Sequence, residues 1–107
     1  DPLVQPVATD QSLGREFLAA IEKIMQIFPG IHTICGLSNV SFGLPLRKFL
    51  NQTFMSMAIT KGLDAAILDP LDKRMMANIL AAEALAGKDR FCMNFIRAFR
   101  EGRLESV

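Results

Sequence analysis

The stretch Ile31-His32-Thr33-Ile34-Cys35-Gly36-Leu37, followed at once by Ser38-Asn39-Val40-Ser41-Phe42-Gly43, decides how this chain reads. The first seven residues form a short β-branched run bounded by turn formers, which predicts a mostly buried strand. The next six are polar enough to predict a loop. Upstream, Leu13, Phe17, Ala20, Ile21, Ile24 and Phe28 recur at helical spacing behind the capping residues Thr9, Asp10 and Ser12, and Pro29-Gly30 ends that helix. Downstream, Pro45 sits where a second helix would begin. Phe49, Leu50, Phe54, Met57 and Ala58 give that helix an apolar face, and Lys61-Gly62 closes it. Leu63-Asp64-Ala65-Ala66-Ile67-Leu68 repeats the strand pattern. Asp69-Pro70 then reads as an N-cap followed by proline at the first helical position. A third helix carries Leu71, Met75, Ile79, Ala82 and Leu85 as far as Gly87. A last helix runs from Asp89 to around Gly102 on Phe91, Phe95, Ile96 and Phe99.

Helix, strand, helix, strand, helix is the rhythm of βαβ units and a parallel sheet. Composition agrees with a packed α/β unit. The 107 residues are 50% hydrophobic and 21% charged, apolar enough for one core and too few for two domains. Twelve Lys+Arg against eleven Asp+Glu leave a net charge of +1, so no basic footprint points to nucleic acid. No apolar run approaches the roughly 20 residues that cross a bilayer, and the N-terminus lacks the order of a signal peptide. The expectation is a cytoplasmic protein with neither nucleic-acid nor membrane partners. Two distant cysteines and a single histidine leave no set of zinc ligands. The opening Asp1-Pro2-Leu3-Val4-Gln5-Pro6, without an initiator Met, reads as part of something longer.

In parallel α/β structures the loops after the strand carboxyl ends gather on one face, and that face holds the site. Three positions qualify: Asp1, after a strand the chain would lack, Ser38-Asn39 after the first visible strand, and Asp69 after the second. Taken alone, Asp69 reads as a structural cap and Asn39 as an Asx-turn residue. His32 reads as a packed histidine, Cys35 and Cys92 as buried thiols, and Met55, Met57, Met75 and Met76 as packing filler. Arg47 and Lys48 stand in the first turn of a helix, where a cation opposes the helix dipole, which marks Arg47 as a candidate anion ligand. No glycine-rich dinucleotide motif, P-loop, nucleophile elbow or zinc-protease motif is present. Residues alone stop at part of an α/β domain with a polar strand-end face.

Gly36-Leu37-Ser38-Asn39-Val40-Ser41-Phe42-Gly43, with Arg47, Leu50-Asn51, Phe54, Met57-Ala58 and Gly62-Leu63-Asp64-Ala65-Ala66-Ile67, closely resembles the last part of the methyltetrahydrofolate:corrinoid protein methyltransferases. These are pterin-binding barrels related to the folate domain of cobalamin-dependent methionine synthase. Asp1-Pro2-Leu3 resembles the family's Asp-Pro at the end of its sixth strand. The resemblance implies the C-terminal portion of a TIM (β/α)8 barrel: helix six, strand seven, helix seven, strand eight and the terminal helices, out of about 250 residues.

The resemblance also implies transfer of the N5 methyl of methyltetrahydrofolate to cobalt(I) of a corrinoid (cobalamin) carried by a partner protein, within one-carbon metabolism, by a homodimeric full-length enzyme. Asn39 would approach N5 of the pterin, where a hydrogen bond improves a poor leaving group. Asp1 would bind the donor-rich amino-pyrimidine edge. Ser38 and Ser41 would shape the loop, Ile67 would pack on the pterin, and Arg47 would meet the p-aminobenzoyl-glutamate part. Dihydropteroate synthase, a competing pterin enzyme on the same fold, has Ser-Arg-Lys where this chain has Ser38-Asn39-Val40, so both cations are missing. The other alternative is a non-catalytic partial barrel that acts only in an oligomer or with other chains, since two parallel strands leave open edges and an uncovered face.

Overall fold

The computed structural model describes residues 1–105. After an irregular opening, the chain forms α1 (Leu13–Ile27), β1 (Ile34–Gly36), a 3-10 turn (Leu37–Ser41), α2 (Arg47–Lys61), β2 (Ala65–Ile67), α3 (Lys73–Leu85), a second 3-10 turn (Arg90–Cys92) and α4 (Met93–Arg100). β1 and β2 pair in parallel, with Ile34 opposite Ala65, Cys35 opposite Ala66 and Gly36 opposite Ile67. The alternation of helix and strand read from the sequence is therefore present, and the strand pair is parallel.

Side chains alternate along a strand, so one face of this short sheet carries Cys35 and Ala66 and the other carries Ile34, Gly36, Ala65 and Ile67. Cys35 is fully buried in the core that α1, α2 and α3 build, with Phe17, Ile21, Phe54, Ala58 and Met75. The second face has no such cover: Ile67 is 70% exposed. The molecule is accordingly a slab, 41 × 36 × 18 Å, one layer of helices on one side of a two-stranded sheet. α1 and α2 meet through Phe17 and Phe54, whose rings are tilted by 46° at 5.6 Å between centroids.

Gly62 shows why α2 must stop where it does. Its φ of 108° is left-handed, and its N–H reaches back to the carbonyls of Ala58 and Ile59. A Cβ there would also stand 3.0 Å from Met25 Cγ on α1. At the amino end α2 begins two residues later than Pro45 predicts, because Leu46 takes a left-handed conformation at φ 56° and acts as N-cap. The buried face is Gln52, Phe54, Met55, Ala58 and Ile59, whereas Phe49 and Met57 are exposed.

Other expectations are corrected. The polar run after β1 is mostly a 3-10 turn, with Leu37, Val40 and Ser41 buried. Asp72, not Asp69, caps α3: its carboxylate accepts from Met75 N at 3.1 Å, while Asp69 accepts from Leu71 N at 2.9 Å and shapes the approach. The last helix does not run unbroken from Asp89. Phe91 and Cys92 adopt φ of 54° and 56°, and the buried Asp89 accepts from Asn94 N and Phe95 N across that kink. Cys92 is exposed, not buried. Met76 is exposed like Met57, so of the four methionines read as packing only Met55 and Met75 are core residues.

His32 is not packed either. Its side chain is 83% exposed, and Nδ1 lies 3.2 Å from Asp64 Oδ2. The same oxygen accepts from Thr33 N at 3.0 Å, so Asp64 pins the segment entering β1 to the segment entering β2.

Candidate functional site

Because β1 and β2 run in parallel, both open at the same end, and the 3-10 turn after β1 faces the loop after β2. The turn is held from inside. Ser41 is fully buried at 0% exposure; its Oγ donates to Asn51 Oδ1 at 2.7 Å and accepts from Arg47 Nε at 3.0 Å. Arg47 Nη2 donates to the carbonyl of Ser38 at 2.8 Å, and its guanidinium lies 5.8 Å from the centre of the Phe42 ring. Arg47 therefore clamps both ends of the turn from the first residue of α2. A cation placed against the helix dipole has a structural partner here: a backbone carbonyl.

Asn39 projects from the middle of this braced turn and is exposed. Its Nδ2 donates to the carbonyl of buried Val4 at 3.0 Å, and Val7 N donates to Val40 O at 3.1 Å. These bonds lay the N-terminal segment from Val4 to Val7 along the turn. Asp1 is exposed. One of the two Asn39 amide protons is engaged by Val4. The other proton and Oδ1 are the groups that a ligand could meet.

Between the two strand-end loops and the first turns of α2 and α3 lies a cleft of about 450 Å³. Ser38, Lys48, Asn51, Ile67, Asp69 and Asp72 are among its walls. Ser38 and Ile67, both expected at the site, thus come together on one cleft, while Ser41 sits behind it as support. Lys48, Asn51 and Asp72 are not among the expected site residues: Lys48 stands in the sequence as a first-turn cation beside Arg47 and Asn51 as part of the Leu50-Asn51 pair, and no local signal assigns any of the three to a cleft. Burial would raise the Asp72 carboxyl, but hydrogen bonds from Met75 N and Gln52 and the charge of Lys48 hold it below the ordinary aspartate range. Gln52 Nε2 reaches both Asp72 oxygens at 3.2 Å, tying α2 to the cap of α3. Among the described residues no group of three or more His, Cys, Asp and Glu stands close enough to hold a metal ion. No helix among them is long and apolar enough to cross a membrane.

A parallel strand pair backed by helices, with polar side chains collected beyond the strand ends, is the arrangement of α/β proteins that bind small molecules at that face. Over all 107 residues the chain is 45% identical to a methylcorrinoid:tetrahydrofolate methyltransferase of Eubacterium limosum. Over 74 residues, 64% of this chain, it is 38% identical to the methionine synthases of Mycobacterium tuberculosis and Mycobacterium leprae, covering 6% of each. Over its whole length the chain is thus similar to a tetrahydrofolate-linked corrinoid methyltransferase, in agreement with the resemblance carried by its Gly36–Gly43 run. It spans about 40% of the length of the Eubacterium protein. No protein-family model matches it.

Proposed function

We propose that this chain forms the C-terminal part of a pterin-binding TIM barrel, from the end of strand six through the terminal helices. The whole enzyme would move a methyl group between N5 of tetrahydrofolate and the cobalt of a corrinoid held by a partner protein. The observation that carries this reading is the Asn39 turn, an exposed amide on a rigid, internally braced support at a strand end. The one-sided sheet supports the barrel: its uncovered face would line the lumen, and its two open edges would pair with the remaining strands. By the same resemblance the whole enzyme would be a homodimer.

The corrinoid supplies a cobalt that takes or gives the methyl carbon. This chain's part is played at N5. When methyltetrahydrofolate is the donor, the N5–methyl bond breaks, and N5 leaves as a neutral amine only if it gains a proton. An amide that can donate to the free lone pair or accept from the protonated nitrogen lowers the barrier in either form. The name of the Eubacterium relative writes the transfer from methylcorrinoid to tetrahydrofolate, the reverse of the direction expected from the sequence. By microscopic reversibility the same amide serves that direction, accepting from N5–H as the methyl arrives. Asp1 would take the amino-pyrimidine edge of the pterin, and Ile67 its apolar face.

The test is methyl transfer by the full-length protein with free cobalamin in place of the corrinoid protein, followed by the cobalamin absorbance spectrum in both directions. Turnover in at least one direction is expected. A full-length protein that neither turns over nor shows calorimetric binding of methyltetrahydrofolate would overturn the proposal.

A further inference from the structure

We propose that Asn51 is a positioning residue for Asn39: from the second turn of α2 its side-chain carbonyl fixes the direction of the buried Ser41 hydroxyl, and through it the 3-10 turn that presents the Asn39 amide. The inference rests on the reading of Asn39 above and goes beyond it by assigning the residue that sets the amide in place.

The turn Leu37–Ser41 needs support of this kind. It is five residues long, and neither end has a side-chain cap. A 3-10 turn has poor hydrogen-bond geometry of its own, so its shape is decided by what it is tied to. Ser41, its last residue, is fully buried. The Ser41 Oγ has three neighbours: Asn51 Oδ1 at 2.7 Å, Arg47 Nε at 3.0 Å and the Ser38 carbonyl at 3.2 Å. A hydroxyl has one proton to give, and a guanidinium can only donate, so that proton has two acceptors to choose between. The Ser38 carbonyl already receives Arg47 Nη2 at 2.8 Å. Asn51 Oδ1 is the shorter contact and takes the proton. Each acceptor then has its own donor, and the circuit Arg47–Ser41–Asn51 closes.

Register on α2 explains why Asn51 is the residue in place. Arg47 and Asn51 are four positions apart in one helix, so they share a face, one turn above the other. Consecutive turns of α2 therefore grip a single hydroxyl, one as donor and one as acceptor. The next residue, Gln52, is buried and donates to both oxygens of Asp72, the cap of α3, at 3.2 Å. α2 is thereby anchored to the segment after β2, and Asn51 carries that anchorage to the turn after β1. Asn39 stands two residues before Ser41, and its backbone carbonyl accepts from Phe42 N at 3.2 Å, directly beyond Ser41. A Ser41 hydroxyl turned from Asn51 to the Ser38 carbonyl would shift the support of the amide. Misplacing a group that acts in the transition state by about 1 Å can cost about 100-fold in rate while substrate binding is kept.

The experiment is a double-mutant cycle in the full-length protein, with methyl transfer involving free cobalamin as the assay. Asn51→Leu removes the acceptor and keeps a helix-forming side chain, whereas Asn51→Asp keeps the acceptor. Asn51→Leu should lower kcat about tenfold with KM for the folate within about twofold of wild type. Asn51→Asp should stay nearer to wild type than Asn51→Leu. In an Asn39→Ala background, Asn51→Leu should lower kcat no further, because no amide is left to position; a merely structural loss would add in full. Asn51→Ala is carried through the same cycle should the leucine variant not fold. Unchanged kcat in Asn51→Leu, an equal loss in Asn51→Asp, a raised KM with kcat intact, or a full further loss in the Asn39→Ala background would each overturn the positioning role while leaving the folate reading in place. An Asn39→Ala enzyme with wild-type kcat would remove the role of Asn39 and this inference together. A wild type that neither turns over nor binds methyltetrahydrofolate would remove the folate reading as well.

Discussion

The side-chain amide of Asn39 donates to the backbone carbonyl of Val4 at 3.0 Å, across 35 residues of sequence. This bond fixes which way the amide faces. One N–H is turned into the N-terminal segment, which restrains the amide from rotating freely and leaves one N–H and Oδ1 for other partners. The precision of the proposed site therefore depends on residues that never touch a substrate.

For Asn39 the first prediction separates chemistry from support. In the full-length protein, Asn39→Ala should lower kcat for methyl transfer by about 10²-fold or more, with a smaller change in KM. Asn39→Asp keeps an acceptor but removes the donor, so its rate should recover as the pH falls and the carboxyl is protonated. An Asn39→Ala enzyme with unchanged kcat would show that the amide does not assist at N5.

The clamp by Arg47 predicts a loss that lysine cannot restore. An ammonium cannot reach the Ser38 carbonyl and Ser41 Oγ together in the fork geometry of a guanidinium. Arg47→Lys should therefore cost about 1 kcal/mol or more of stability in chemical denaturation and speed amide exchange across Leu37–Ser41. Wild-type exchange in that turn would mean the clamp contributes nothing.

Asp72 carries a pH dependence whose sign is fixed. Its carboxyl is held below the ordinary aspartate value in the folded protein. Its contribution to stability is therefore complete above about pH 4 to 5 and is lost as the pH falls through the folded value. Thermal melts of Asp72→Asn should lose less stability than wild type between about pH 5 and pH 3. Asp72→Ala should cost about 1 kcal/mol at neutral pH through loss of the α3 cap. Parallel acid limbs for wild type and Asp72→Asn would refute the assignment.

The two thiols should differ in reactivity. Burial pushes the Cys35 thiol up to about 11, whereas Cys92 is exposed at the kink before α4. Alkylation of the native protein near pH 8, read by peptide mass spectrometry, should label Cys92 and spare Cys35 until denaturant is added. Equal labelling of both would contradict the burial of β1 against the helices.

Much of the framework was legible in the sequence because it rests on local rules. Hydrophobic spacing from Leu13 to Phe28 specifies α1, Gly62 specifies the end of α2, and two compact apolar runs specify the strands. Errors fell where two local signals competed. Asp69-Pro70 and Asp72 both offer a cap, and the chain uses Asp72 because Gln52, on another helix, is there to meet it. His32 reads as packed in the sequence because Asp64, the acid that meets it at the surface, lies a whole helix away along the chain.

By itself, then, the sequence determined the order of elements, the parallel pairing and the family likeness carried by Gly36–Gly43, all properties of neighbouring residues. Only the tertiary structure decided which partner each side chain meets. Arg47 and Lys48 are adjacent cations of similar reach, yet the packing of the 3-10 turn engages Arg47 with Ser38 and Ser41 and leaves Lys48 on the wall of the cleft. A hydrogen bond to a partner distant in sequence exists only once the chain has folded, so no local pattern could have told the two apart.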